Sequence, residues 1–265
     1  MAVHPFRFGV VAGRPVSGTA WLDLARSVEA AGYDALLLPD TLFTPSPFPA
    51  LAAAAAVTTR LHVATWVLAA PLRPPAAVVR ETAALQLLSG NRFELGIGTG
   101  RPGAKAEAER LGMPWGGWTD RLRQVLETVE AVRGEVQPAP RVIIAGAGPR
   151  MLGPAGTADT VALALPPAAT VDDVLRAAER TRESGGDPEL ALQLSGVGGR
   201  LVAYLERSGT TAADLAGAAA VLSGDADAMA GSLLALRERT GVSFLPVAAE
   251  QLEAFQPVLE RLRAV

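Results

Sequence analysis

Apolar, β-favouring runs and stretches with helical spacing alternate along this chain eight times, and no single motif constrains the fold as strongly. The strand-like runs are Phe6–Gly13, Ala35–Pro39, His62–Pro71, Phe93–Ile97, Arg141–Gly146, Thr160–Leu163, Leu190–Val197 and Val242–Val247. A helical segment follows each of them. Thr19–Ala31 carries Trp21, Leu24, Ala25 and Val28 on one face, with Gly32 as a stop. Comparable segments run from about Pro49 to Thr58, from Pro75 to Leu88, over Thr119–Val132, over a short stretch beyond GAGPRM, over Val171–Glu183, over Gly199–Ala220 as one or two helices followed by Asp225–Thr240, and over Glu250–Arg263. This pattern predicts an α/β chain folded as a single (β/α)8 barrel rather than an open doubly wound sheet. A barrel of this kind takes about 250 residues. The 265 residues carry no linker, fixed-period repeat or low-complexity segment, and SGGDP (Ser184–Pro188) reads as a loop, so residues 1–265 are expected to form one domain.

In such a barrel the loops after the strands build the site. Three of them stand out: the proline-rich Asp40–Phe48, the Gly-, Pro- and Trp-rich Arg101–Trp118, and the turn IAGAGPRM (Ile144–Met151). The densest stretch is Ser89–Gly103, where a short strand ends in Gly96, Gly98, Gly100 and Gly103. Such a corner exposes backbone N–H groups and lets the chain pass close to an anion or a flat ring. In IAGAGPRM, two glycines and the first-turn Arg150 suit a phosphate, or simply make a tight turn into a helix. A dinucleotide fingerprint fails there, because its third glycine is replaced by Met151. Thr99 can offer a hydroxyl. Arg101 either pairs with a phosphate, faces a substrate, or is solvated. Asp40 lines the site or caps a turn. Glu94, inside the fourth strand, needs a partner such as Arg80 or Arg92. Trp115 and Trp118 suggest an apolar wall for a flat ligand, while Trp66 suits that role or plain packing.

Composition removes several chemistries. Cys is absent, which excludes thiolate catalysis and thiolate metal sites. The two histidines, His4 and His62, fall at strand starts, the face opposite a barrel's site, so neither a Ser-His-Asp triad nor a His-bound metal is expected. A net charge of −3 gives no basic footprint for nucleic acid. Apolar runs fall short of the roughly 18 residues a membrane span needs, and the N-terminal stretch lacks the pattern of a secretory leader, so a cytoplasmic protein without membrane partners is expected. Difficult chemistry would then fall to a bound cofactor.

The chain resembles the luciferase-like monooxygenase superfamily, specifically its deazaflavin (coenzyme F420)-dependent oxidoreductase branch. The resemblance rests on GYDALLLPD, TWVLAAPLRPPAAVVRETAALQLLSGNRFELGIGTG, IAGAGPRM, ADTVAL, VLSGDAD and GVSFLPV. It implies a luciferase-like TIM barrel with shortened insertions that holds F420, or alternatively FMN, at its rim and acts on a small-molecule substrate without a metal; it also implies a homodimer. A bulged third strand with a non-prolyl cis peptide maps onto Thr65, Trp66 and Val67. Asp40, Thr99, Gly100, Gly146, Ala147, Gly148 and Arg150 map onto cofactor contacts. Departures are as informative. Thr41 stands where the family has a histidine, Ala69 and Ala70 where it has asparagines, Pro74 where it has another histidine, and Arg101 where F420-using dehydrogenases carry an acid. The segment before the fifth strand is cut to RGEVQPAP. What the resemblance implies is hydride transfer between F420 and a small or polycyclic substrate, with Thr41 and Arg101 as the catalytic candidates. The alternatives are an FMN-dependent monooxygenase, and a barrel that has lost its cofactor and serves as a binding protein or cofactor-free enzyme.

Overall fold

The computed structural model describes residues 4–183 and 185–264; Ser184, at the start of the expected Ser184–Pro188 loop, lies outside them. In chain order the elements are β1 (Arg7–Val11), α1 (Gly18–Ala30), β2 (Ala35–Leu38), α2 (Pro47–Ala56), β3 (His62–Thr65), β4 (Leu68–Ala69), a 3-10 turn (Ala70–Leu72), α3 (Pro75–Ser89), β5 (Phe93–Gly98), α4 (Ala104–Arg110), α5 (Trp118–Glu135), β6 (Arg141–Gly146), α6 (Pro149–Ala155), β7 (Thr160–Leu163), α7 (Val171–Arg182), β8 (Glu189–Ala191), β9 (Gly196–Val197), β10 (Arg200–Leu201), α8 (Ala203–Arg207), α9 (Ala226–Thr240), β11 (Val242–Ala248), a second 3-10 turn (Ala249–Gln251) and α10 (Leu252–Arg263).

Three stretches differ from expectation. The expected loop Arg101–Trp118 contains α4, because AKAEAER consists of strong helix formers. The expected strand Leu190–Val197 stops at Ala191, where the register against β11 shifts; beyond it, Leu192 and Leu194 still donate to Phe244 and Pro246 carbonyls at 3.0 and 2.8 Å. The expected helices over Gly199–Ala220 begin with a hairpin instead. Gly198 and Gly199 both take positive φ, the conformation a two-residue hairpin turn requires, and this pairs β9 with β10 before the short α8.

Chain contacts divide the molecule into two compact units, one spanning Val11–Ala145 and the other made of the residues up to Val10 with those from Gly146 onward. In the first, β2 pairs in parallel with β3, and β5 pairs with β3, β4 and β6. Leu36, Leu37, Leu38, Val63, Leu95 and Ile97 are buried, as parallel strands covered by helices on one face and packed inside on the other demand. Pro75 opens α3 and Gly90 closes it in the left-handed region, so α3 runs the full length that its sequence limits predict. In the second unit β8 pairs in parallel with β7 and β11. Phe8 lies 5.8 Å from Phe255, and the buried Glu189 accepts from Arg7 and Thr160, each at 2.8 Å.

Candidate functional site

The site begins where the third strand breaks. β3 ends at Thr65, the Trp66–Val67 peptide is cis, and the strand resumes as β4 at Leu68. The neighbouring β5 accepts this bulge because it is glycine there. A Cβ on Gly96 would lie 1.9 Å from the Thr65 carbonyl oxygen and 2.9 Å from Val67 Cγ1, so only glycine lets the two backbones approach this closely. The Thr65 hydroxyl then bridges the strands, donating to the Gly96 carbonyl at 2.7 Å and accepting from its N–H at 2.8 Å. Val67 also covers Gly98, whose Cβ would stand 3.3 Å from Val67 Cγ2. Trp66, Val67, Thr99 and Gly100 are each half-buried, giving the strand ends of this unit an uncharged ledge.

Asp40 and Glu107, the carboxylates near the ledge, each have an arginine partner. Asp40, at the end of β2, receives both guanidinium nitrogens of Arg73 and the Ala69 N–H at 3.1 Å. The Thr41 hydroxyl accepts from the Phe43 N–H at 3.1 Å, and Thr44 donates to the Pro39 carbonyl at 2.9 Å, which folds Thr41 into a compact turn. Arg101 pairs with Glu107 of α4, whose side chain is buried and whose Oε2 makes no hydrogen bond. Gly100 adopts φ +86°, and a Cβ there would meet Trp115 Cη2 at 2.8 Å. Trp115 is in turn covered by Arg121, 4.4 Å from its ring centroid, while Arg121 Nε donates to the Thr99 carbonyl at 3.0 Å. Trp115 is thus held between Gly100 and a stacked arginine.

In the other unit, Gly146 is buried and Ala147, Gly148 and Arg150 are exposed where β6 ends and α6 starts. Gly148 is the residue before α6, at φ −97° and ψ 161°, and a Cβ on it would meet nothing within 4 Å. Its carbonyl accepts from the Met151 and Leu152 N–H groups at 2.9 and 3.0 Å. Glu94 lies beside His62, with Nδ1 2.9 Å from Oε1, rather than against Arg80 or Arg92. Arg92 donates instead to the Ala55, Thr58 and Leu61 carbonyls and the Thr58 hydroxyl, because its long side chain reaches back over the start of β3.

Sequence reasoning passed over Arg73, Glu107, Arg121 and Gln124. Arg73 had a signal, a lone charge inside the apolar, proline-rich APLRPP. Glu107 had none, since Arg101 lies outside α4 and the pair follows no helical spacing.

A family model described as luciferase-like monooxygenase matches residues 1–241. The chain belongs to the luciferase-like monooxygenase family. An F420-dependent tetrahydromethanopterin reductase from Methanopyrus kandleri shares its fold, with a TM-score of 0.77 at 17% identity over 98% of this chain and 100% of that one. So does the oxygenating constituent of 3,6-diketocamphane monooxygenase from Pseudomonas putida, solved with FMN, with a TM-score of 0.71 at 16% identity over 97% and 95%. The fold of this luciferase-like protein is thus the (β/α)8 barrel its alternation predicts. Among curated relatives, an uncharacterized protein of Mycobacterium tuberculosis is 34% identical over 140 residues, 44% of this chain and 47% of its own length. An F420-dependent glucose-6-phosphate dehydrogenase of Beutenbergia cavernae is 32% identical over 114 residues, 40% and 33% of the two chains. The chain spans about half the length of the first of these curated relatives. Among the described residues, no helix is long and apolar enough to cross a membrane.

Proposed function

We propose that this luciferase-like protein is an F420-dependent oxidoreductase acting on a small or polycyclic organic substrate. The observation that carries the reading is the uncharged ledge of Trp66, Val67, Thr99 and Gly100, held by the contact of Thr65 with Gly96. A flat, largely neutral ring system fits a half-buried surface whose nearby carboxylates already have arginine partners. Bound there, F420 would supply hydride chemistry. The protein's share is orientation and exclusion of water. Thr65 acts by locking the ledge. In the second unit, the backbone of Gly146, Ala147 and Gly148 and the guanidinium of Arg150 are the candidates for a phosphate group. Thr41 and Arg101 orient an oxygen of the substrate. The F420-dependent relatives at 32% and 17% identity support the choice of cofactor. An FMN-dependent monooxygenase is the second reading, favoured by the likeness to a monooxygenase solved with FMN.

Fluorescence titration of the purified protein with F420 and with FMN tests both. Micromolar binding of F420 alone is the expected result; binding of FMN alone replaces it with the second reading. Binding of neither sinks both and leaves a barrel that has lost its cofactor. Gly148→Asp is a companion variant that folds, because the position has room and aspartate is a favoured residue before a helix. It is expected to abolish cofactor binding by setting a carboxylate against the phosphate. Unchanged affinity would remove the turn from the site.

A further inference from the structure

The stretch Ala69–Pro75 has few means of holding itself in place. Ala69 and Ala70 carry no polar side-chain atom, and Pro71, Pro74 and Pro75 have no N–H to donate. It nevertheless follows directly on the Trp66–Val67 ledge, and its position fixes where that ledge ends. Ala69 pairs with β5, and Ala69 and Leu72 pack against Ala104 and Ala108 of α4; the polar side-chain hold comes from two further elements. From the end of β2, Asp40 accepts the Ala69 N–H at 3.1 Å and binds the Arg73 guanidinium through both oxygens, with Nη2 to Oδ1 at 3.0 Å. From α5, the Gln124 side-chain amide donates to the Ala70 carbonyl at 2.8 Å and to the Arg73 carbonyl at 3.2 Å. The segment is thus gripped at its first N–H, at its one charged side chain and at two of its carbonyls.

The geometry also limits what Asp40 can do. Its side chain is 4% exposed and that of Arg73 17% exposed, and each satisfies the other's charge. A carboxylate already receiving three donors from the protein has little capacity left for a ligand. We propose that Asp40 and Arg73, with Gln124 behind them, form a positioning device that sets the Trp66–Ala70 segment for the cofactor ring, and that Asp40 itself neither touches the cofactor nor transfers a proton. This assignment rests on the reading of the ledge as a cofactor site.

The test is a double-mutant cycle read in F420 affinity and in the thermal midpoint of the cofactor-free protein, with Asp40→Asn, Arg73→Gln, the double variant and Arg73→Lys. Asp40→Asn and Arg73→Gln are each expected to weaken F420 binding about tenfold, and the double variant to lose no more than either, because all three break one device. Arg73→Lys is expected to recover part of the loss, since an ammonium keeps the charge but not the fork. A far larger loss in Asp40→Asn than in Arg73→Gln would make Asp40 a direct cofactor contact and overturn the proposal. Lowered midpoints with unchanged affinity would reduce the pair to a structural role and overturn it as well. A parent protein that binds neither F420 nor FMN would refute the cofactor reading itself, and the positioning role with it.

Discussion

Glu29 joins the end of α1 to the start of β3 by accepting three consecutive backbone N–H groups, from Thr59, Arg60 and Leu61, at 2.8, 2.7 and 2.9 Å. Burial pushes its carboxyl up, but the bonds from Arg60, Leu61 and Thr59 outweigh that and leave it below its ordinary value of 4.5. A pKa lowered on folding means stability that is present above about pH 4.5 and is lost as pH falls through the folded value. Glu29→Gln is therefore expected to be less stable than the parent at pH 7 by about 1 kcal/mol, comparable to losing a helix cap and moderated by solvent screening. The difference should narrow as the pH falls below 4.5 and through the lower folded value. Urea unfolding at pH 7 and pH 3.5 checks this, and a gap of equal size at both would contradict it.

At the scale of elements, the contact of β3 with β5 decides the geometry of the ledge. Gly96→Ala would put a methyl group 1.9 Å from the Thr65 carbonyl oxygen, a backbone atom that cannot swing aside. The strands would have to separate, breaking both bonds of the Thr65 hydroxyl. The expected loss is about 3 kcal/mol, the upper end for overpacking a core. It should appear as a lower urea midpoint together with weakened cofactor binding. Gly148→Ala is the control, since its Cβ meets nothing within 4 Å, and its stability should be within about 0.5 kcal/mol of the parent. If the two variants unfold alike, the close approach at Gly96 is not what holds this corner.

For the whole molecule, ligand binding and stability are one measurement. A ligand that binds only the native state at 100 times its Kd stabilises it by about 2.7 kcal/mol. For a chain of this size that raises the melting midpoint by roughly 5 to 10 °C. F420 should therefore raise the midpoint by this amount while FMN leaves it in place. A rise with FMN and none with F420 would favour the monooxygenase reading. Because the response is global, it also reports a cofactor that quenches no fluorescence.

Much of the alternation of strands and helices was legible in the sequence, because the apolar pattern of a parallel strand and the amphipathic period of a helix are local properties; β6 and β7 coincide with the runs that carried them, whereas α4 and the β9–β10 hairpin were missed. The glycine-rich fourth strand was legible for a related reason, since close backbone approach leaves its mark as missing side chains, while the bulge at Trp66–Val67 was implied by the family resemblance alone. Partner choice was not legible. That Glu94 meets His62, that Arg92 caps the Ala55–Leu61 turn, and that Asp40 is held by Arg73 depend on residues about 30 or more positions apart along the chain. Charge and size permit many such pairings, and only the packed chain selects among them. The sequence by itself determined a (β/α)8 chain of the luciferase-like family and pointed to the strand ends proposed as its site. The tertiary structure decided which charges there are already spent on each other, because a salt bridge is fixed by distance in space and not by spacing in sequence.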